Sequence, residues 1–210
     1  MKQSTFDAGR VSALSDGVFA IAMTLLVLAL KLPDLGPGLG GDAFAAALLE
    51  QGPRFMSWLL SFAILCRLWI TQHALLAEGD TRSRGFVGWT FLFLGAVSFI
   101  PFPTSLLSEH HDQPLSVVIF SATIAAAGIA LLGMWRVEQR QRPATGSARA
   151  TSRSPQVLVL ILLATAAVSC GVALFSPGLG AMVWVAFLVL AAVVGRWQAG
   201  VSEATDQRNG

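Results

Sequence analysis

The residues of this chain that could do chemistry are few, and they sit in apolar surroundings. Asp16 enters "SDGVFAIAMTLLVLAL", His73 closes "WITQH", Cys66 and Cys170 interrupt apolar runs, and His110 and His111 lie between Glu109 and Asp112. A carboxylate in a membrane-length apolar run is costly unless it faces protein or water with a partner; the candidate partners for Asp16 are Arg10, Arg67 and His73. Trp69 and His73, four residues apart, share one helical face on which rings can stack. His73 is expected to hydrogen-bond across to Asp16 or Ser15 rather than to relay protons. No second His, Cys or carboxylate stands at ligand spacing from it, so no metal site is expected. His110 and His111 read as a solvated loop, and the two cysteines as small buried thiols. There is no Ser/His/Asp spacing, no His-Glu-x-x-His and no phosphate-cradling loop, so neither an enzyme nor a cofactor is indicated.

The elements that must position these residues are membrane spans. Hydrophobic residues make up 54% of the 210 and charged residues 12%, with a mean hydropathy of +0.66. That lies outside the balance of a soluble domain. Runs of the roughly 20 apolar residues needed to cross a bilayer recur along the chain. The expected fold class is an all-α membrane protein with six transmembrane helices, approximately 11–32, 53–77, 86–107, 115–137, 156–175 and 179–197, in one domain over 1–200. A basic, Ser/Pro/Gly-rich linker at 138–155 reads as flexible, and 201–210 as a polar tail. Lys31-Leu32-Pro33-Asp34 offers no small-residue cleavage site, so the first run reads as a retained span. The formal net charge of +2 points to no nucleic-acid partner.

Six spans place both termini on one side, where eleven of the fourteen Lys and Arg residues then fall; only Lys31 lies in an opposite loop, while Arg54 and Arg67 sit near opposite ends of the second span. That asymmetry puts both termini in the cytoplasm. At about 100° per residue, Leu14, Gly17, Ile21, Leu25, Leu28 and Leu32 form one stripe of the first span. Asp16 lies well off it. Thr24 sits on its shoulder, where its hydroxyl can bond a carbonyl one turn earlier. No internal repeat is visible, so a pore with equivalent walls would require several copies of the chain.

"R-VSA-LSDGVFAIAMTLLVL" resembles the Arg-x-x-x-Phe-Ser-Asp signature opening the first helix of the transmembrane protein 175 family, the endosomal and lysosomal potassium channels and their prokaryotic relatives. "SFAILCRLWITQH" and "IPFPTSLL" are similar to its second-helix Trp/His segment and third-helix Pro-Phe-Pro-Thr segment. The resemblance covers about residues 10–107. It implies a six-helix subunit of a homotetramer in the cell membrane of a prokaryote, with lipid, its own copies and permeant K+ or other monovalent cations as partners. It also implies a pore lined by the first helix, with Ile21, Leu25 and Leu28 as an apolar constriction and Thr24 as a nearby polar layer. Arg10, Ser15, Asp16, Trp69 and His73 would form a packing network behind that wall. Leu14 stands where the signature has Phe. A competing reading is a proton-coupled secondary transporter in which Asp16 and His73 titrate during alternating access.

Overall fold

The structure, a computed structural model, describes residues 6–30, 40–76, 81–141 and 154–189. The loop after the first span, most of the expected linker, the end of the sixth span beyond 189 and the polar tail lie outside the described residues. The chain is mostly helical: α1 (Ala8–Leu25), continued by a 3-10 turn at Leu26–Ala29, then α2 (Gly41–Glu50), α3 (Gly52–Leu76), α4 (Arg84–Phe99), α5 (Pro101–Glu109), α6 (Pro114–Gln141), α7 (Ser154–Ala173) and α8 (Pro177–Val189). Two short strands, β1 (Phe6–Asp7) and β2 (Thr81–Arg82), pair antiparallel with Phe6 opposite Arg82. Among the described residues, four helical stretches are long and apolar enough to cross a membrane: Ala8–Ala29, Gly52–Leu76, Arg84–Glu109 and Pro114–Arg140; Val159–Ala173 and Pro177–Val189 are shorter and apolar.

Local chemistry sets the helix ends. Asp7 caps α1, its carboxylate accepting from the Arg10 backbone N–H at 2.8 Å, and the Ser83 hydroxyl accepts from the Phe86 N–H at 3.3 Å to open α4. Each side chain thereby satisfies one of the backbone donors that a helix start leaves unpaired. Pro101 and Pro103 lack the N–H groups that would continue the ladder. The Ile100 N–H takes the Val97 carbonyl at 3.2 Å instead, and α5 follows α4 almost without interruption. The Thr104 hydroxyl ties this break to α3 by a bond to Ser61 Oγ at 2.8 Å. α6 runs on to Gln141, into the stretch expected to be linker. Glu138 accounts for part of that extension, because its carboxylate pairs with Arg82 at 3.3 Å and fixes the last turns of the helix.

Arg82 is buried and holds one end of the bundle together. It donates to the Leu75 carbonyl at 3.3 Å and to the Leu76 carbonyl at 2.7 Å, and its guanidinium lies 4.9 Å from the centre of the Phe86 ring. A cation at the C-terminal end of α3 meets carbonyls that have no partner within the helix and the negative end of its dipole. The β1–β2 ribbon thereby joins the start of α1 to the end of α3 and the end of α6. The core gathers Phe19, Ile64, Phe93, Val97, Phe120 and Ile124, all nearly inaccessible. α4 and α6 approach closely at Gly133, where any Cβ would overlap the Trp89 indole. On the far side, Trp184 is fully buried; its indole N–H donates to Ser121 Oγ at 3.0 Å, Ser121 donates to Ser169 at 3.1 Å, and Ser169 donates to the Gly180 carbonyl at 2.7 Å.

Candidate pore-lining helix and its anchor

α1 is apolar along most of its length, yet its two faces have different fates. Val11, Ser15, Phe19, Ala22 and Leu26, at steps of three and four, are buried against the rest of the bundle. The opposite stripe, Leu14, Gly17, Ile21, Leu25 and Leu28, is open: Ile21 is 61% and Leu28 67% exposed. Of the four candidate spans, this one is the least covered, 28% buried against 39% to 50% for the others. An apolar face of that length left bare within a single copy must meet lipid, another copy, or a shared path. Thr24 stands beside it, its hydroxyl satisfied within the helix by the Ala20 carbonyl at 3.0 Å and the Ile21 carbonyl at 2.8 Å. Such back-bonding leaves a span polar residue without an outside partner to find.

The polar entry of α1 is fixed by α3. The Trp69 indole N–H donates to Asp16 Oδ1 at 2.8 Å, and the Gln72 amide donates to the Ser15 hydroxyl at 3.0 Å, which in turn donates to the Val11 carbonyl at 3.0 Å. The imidazole of His73 stacks on Trp69, with centroids 5.2 Å apart and planes 29° apart. Ser15, Asp16, Trp69 and His73 are thus brought together near the middle of α1. Arg10 contributes its backbone N–H to the Asp7 cap.

Two expectations change. The bonded partner of Asp16 is Trp69, not Arg10, Arg67 or His73. Helix geometry accounts for this. Arg67 precedes Trp69 by two residues, about 200° around α3, so it faces away from α1. Arg10 lies six residues from Asp16 on α1, off the three-and-four neighbour rows. The bonds expected of His73 are instead made by Trp69 and by Gln72. Sequence reasoning missed Gln72, although its position three residues after Trp69 places it on the same face of α3. Cys66 and Cys170 are half-buried, unpaired thiols on α3 and α7, and His110 and His111 are exposed in the turn between α5 and α6.

The comparisons with known proteins bear on this arrangement. Residues 10–101 match the family model described as "Endosomal/lysosomal potassium channel TMEM175". The chain is 34% identical over 135 residues to a potassium channel of Chamaesiphon minutus, and 31% identical over 134 residues to a potassium channel of Streptomyces collinus, covering 62% and 61% of this chain. It spans less than two thirds of those relatives, 65% and 63% of their lengths. It is also 36% identical over 137 residues to the human endosomal/lysosomal proton channel TMEM175, covering 60% of this chain and 27% of that protein. The crystal structure of a lysosomal potassium-selective channel TMEM175 homolog from Chamaesiphon minutus superposes with a TM-score of 0.76 at 26% identity, covering 89% of this chain and 96% of that one. The entry motif of α1, the fold and these matches together make the chain similar to the TMEM175 family over its first three spans and in its overall helical fold.

Proposed function

We propose that this protein is one subunit of a membrane channel for monovalent cations, potassium foremost, whose conducting path is walled by the exposed face of α1. The observation that carries this reading is the uncovered apolar stripe Leu14, Gly17, Ile21, Leu25 and Leu28, opposite a face packed into the bundle. The relatives named potassium channels support the choice of ion. In this reading the subunit has six membrane helices with both termini in the cytoplasm of a prokaryote, and four copies bring their first helices together around an axis.

Ile21, Leu25 and Leu28 would then form rings of apolar side chains, and Thr24 a polar ring between them. Such a constriction closes by dewetting when narrow and passes ions when the helices move apart enough to hydrate it. Potassium sheds water more readily than sodium, so a tight apolar ring favours it without the carbonyl cage of other potassium channels. The Asp16–Trp69 and Ser15–Gln72 bonds set the angle at which α1 stands against α3. Asp16 therefore positions the wall and does not line it. The same bonds weigh against a proton-coupled carrier, because Asp16 is already engaged by the indole.

The test is ion flux from liposomes containing the purified protein, driven by an imposed potassium, sodium or proton gradient. Potassium flux exceeding sodium flux, without need of a proton gradient, is expected. Flux strictly coupled to protons would favour the carrier, a proton current without potassium current would shift the permeant ion, and no flux of any of them would end the reading.

A further inference from the structure

The two strands are the shortest elements of the chain, and they stand where the first span begins. Asp7 is both the last residue of β1 and the N-cap of α1, and Arg82, the last of β2, is followed directly by Ser83, the N-cap of α4. No residue of slack separates the ribbon from either helix start. One side chain pins the ribbon in turn. Arg82, only 3% exposed, donates to the Leu75 and Leu76 carbonyls that end α3 and to Glu138 near the end of α6, while Val137 stands beside Gly85 in the first turn of α4. The end of α6 is thus connected to the start of α1 through Glu138, Arg82 and the pairing of Arg82 with Phe6. α6 has 28 residues. That is roughly 42 Å of helix against a hydrocarbon core of about 30 Å, so its last turns, with Arg136 and Arg140 exposed, reach past the bilayer.

At the other end of this connection α1 is lightly held. From Ala8 to Leu14 only Ala8 and Val11 are buried, so the ribbon carries much of the hold on the first two turns. The next fixed point is the pair of bonds from Trp69 to Asp16 and from Gln72 to Ser15. Asp7 and Leu25 each lie nine residues from Asp16, one on either side. At the rise of an α-helix that is roughly 13 Å along the axis in both directions. A helix held near its middle acts as a lever with equal arms: a displacement of the ribbon returns at Leu25 at the same size and in the opposite sense. An apolar ring that gates by wetting responds to just such a displacement across the passage. Resting on the reading of α1 as the pore wall, we propose that Glu138, Arg82 and the β1–β2 ribbon form a strap by which the position of the end of α6 sets the open-to-closed ratio of the pore. The strap acts on gating and not on selectivity, because none of its residues belongs to the Ile21, Leu25 and Leu28 stripe.

Single-channel recording in planar bilayers under opposed potassium and sodium gradients tests this, with the parent, Glu138→Gln, Asp7→Ala, their double variant, and Ser169→Ala, which loosens the α6–α7–α8 hydroxyl chain away from the strap. Glu138→Gln and Asp7→Ala should each change the open-to-closed ratio by a factor between about two and about thirty, the range for residues that couple distant sites, with the reversal potential unchanged. Because both cut one strap, the double variant should change the ratio no further than the larger single effect, and Ser169→Ala should leave it at the parent's value. Should Glu138→Gln fail to assemble, Glu138→Asp, which keeps the charge and falls short of Arg82, reads the same ratio. An unaltered ratio in the Glu138 variant, effects that multiply in the double variant, a shifted reversal potential, or an equal change in Ser169→Ala would each overturn the strap and leave the channel reading intact. A parent that passes no current would instead overturn the reading of the pore, and the strap with it.

Discussion

At Asp16 the carboxylate takes its bond from an indole 2.8 Å away, while Ser15 beside it takes one from Gln72 at 3.0 Å. Hydrogen bonds between membrane helices contribute on average about 0.6 kcal/mol each, against about 1.5 to 3 kcal/mol for bonds to charged groups in general, so the pair acts as an orienting clamp more than as a large store of stability. Trp69→Phe and Asp16→Ala should each lower stability in mixed micelles, and a double-mutant cycle between them should give a coupling of about 1 kcal/mol. A coupling near zero in equilibrium unfolding would show that the bond does not join the helices. Gln72→Leu should behave similarly toward Ser15→Ala. The apolar stripe of α1 is legible in the sequence, because it follows the helical period. Which stripe is bare is not, since Val11, Phe19, Ala22 and Leu26 are as apolar as Ile21, Leu25 and Leu28. The partner of Asp16 is hidden for a different reason: a search among charges and imidazoles passes over a neutral donor, and Trp69 and Gln72 are both neutral.

Helices in this bundle are joined by a few close approaches and by Arg82. Gly133 admits the Trp89 indole where any Cβ would overlap it. Gly133→Leu should therefore destabilise the α4–α6 contact by about 1 to 3 kcal/mol, the range for overpacking, and a variant with the parent's thermal midpoint would place the contact elsewhere. Arg82→Ala leaves the Leu75 and Leu76 carbonyls and the Glu138 carboxylate without this donor. A loss of about 1 to 3 kcal/mol is expected, with faster amide hydrogen exchange at the end of α3 and at β1. Unchanged exchange there would mean that the ribbon holds without Arg82. Element existence and type are readable from the apolar runs and from Pro and Gly punctuation. The extension of α6 to Gln141 is not, because the residues after Val137 are polar and the Arg82–Glu138 pair that holds them joins positions 56 residues apart. Nor is the β1–β2 ribbon, whose two residues per strand carry no pattern of their own.

For the whole molecule, the uncovered stripe of α1 and the absence of a visible internal repeat in the sequence are both accommodated by the proposed assembly, in which other copies would complete the wall. In nanodiscs the protein is expected at the mass of four chains plus bound lipid, and a monomer would leave the stripe facing lipid. The account turns on that stripe being the lining of the ion path. The most direct test compares reversal potentials in bilayers under opposed potassium and sodium gradients for the parent, Ile21→Ser, Leu28→Ser and Phe91→Ser, the last altering a similarly exposed apolar residue, 58% accessible, on α4. Both α1 variants should pass more current and move the reversal potential toward zero discrimination, while Phe91→Ser leaves it at the parent's value. Unaltered selectivity and conductance in Ile21→Ser and Leu28→Ser, or an equal change in Phe91→Ser, would contradict the assignment of α1 as the wall of the pore.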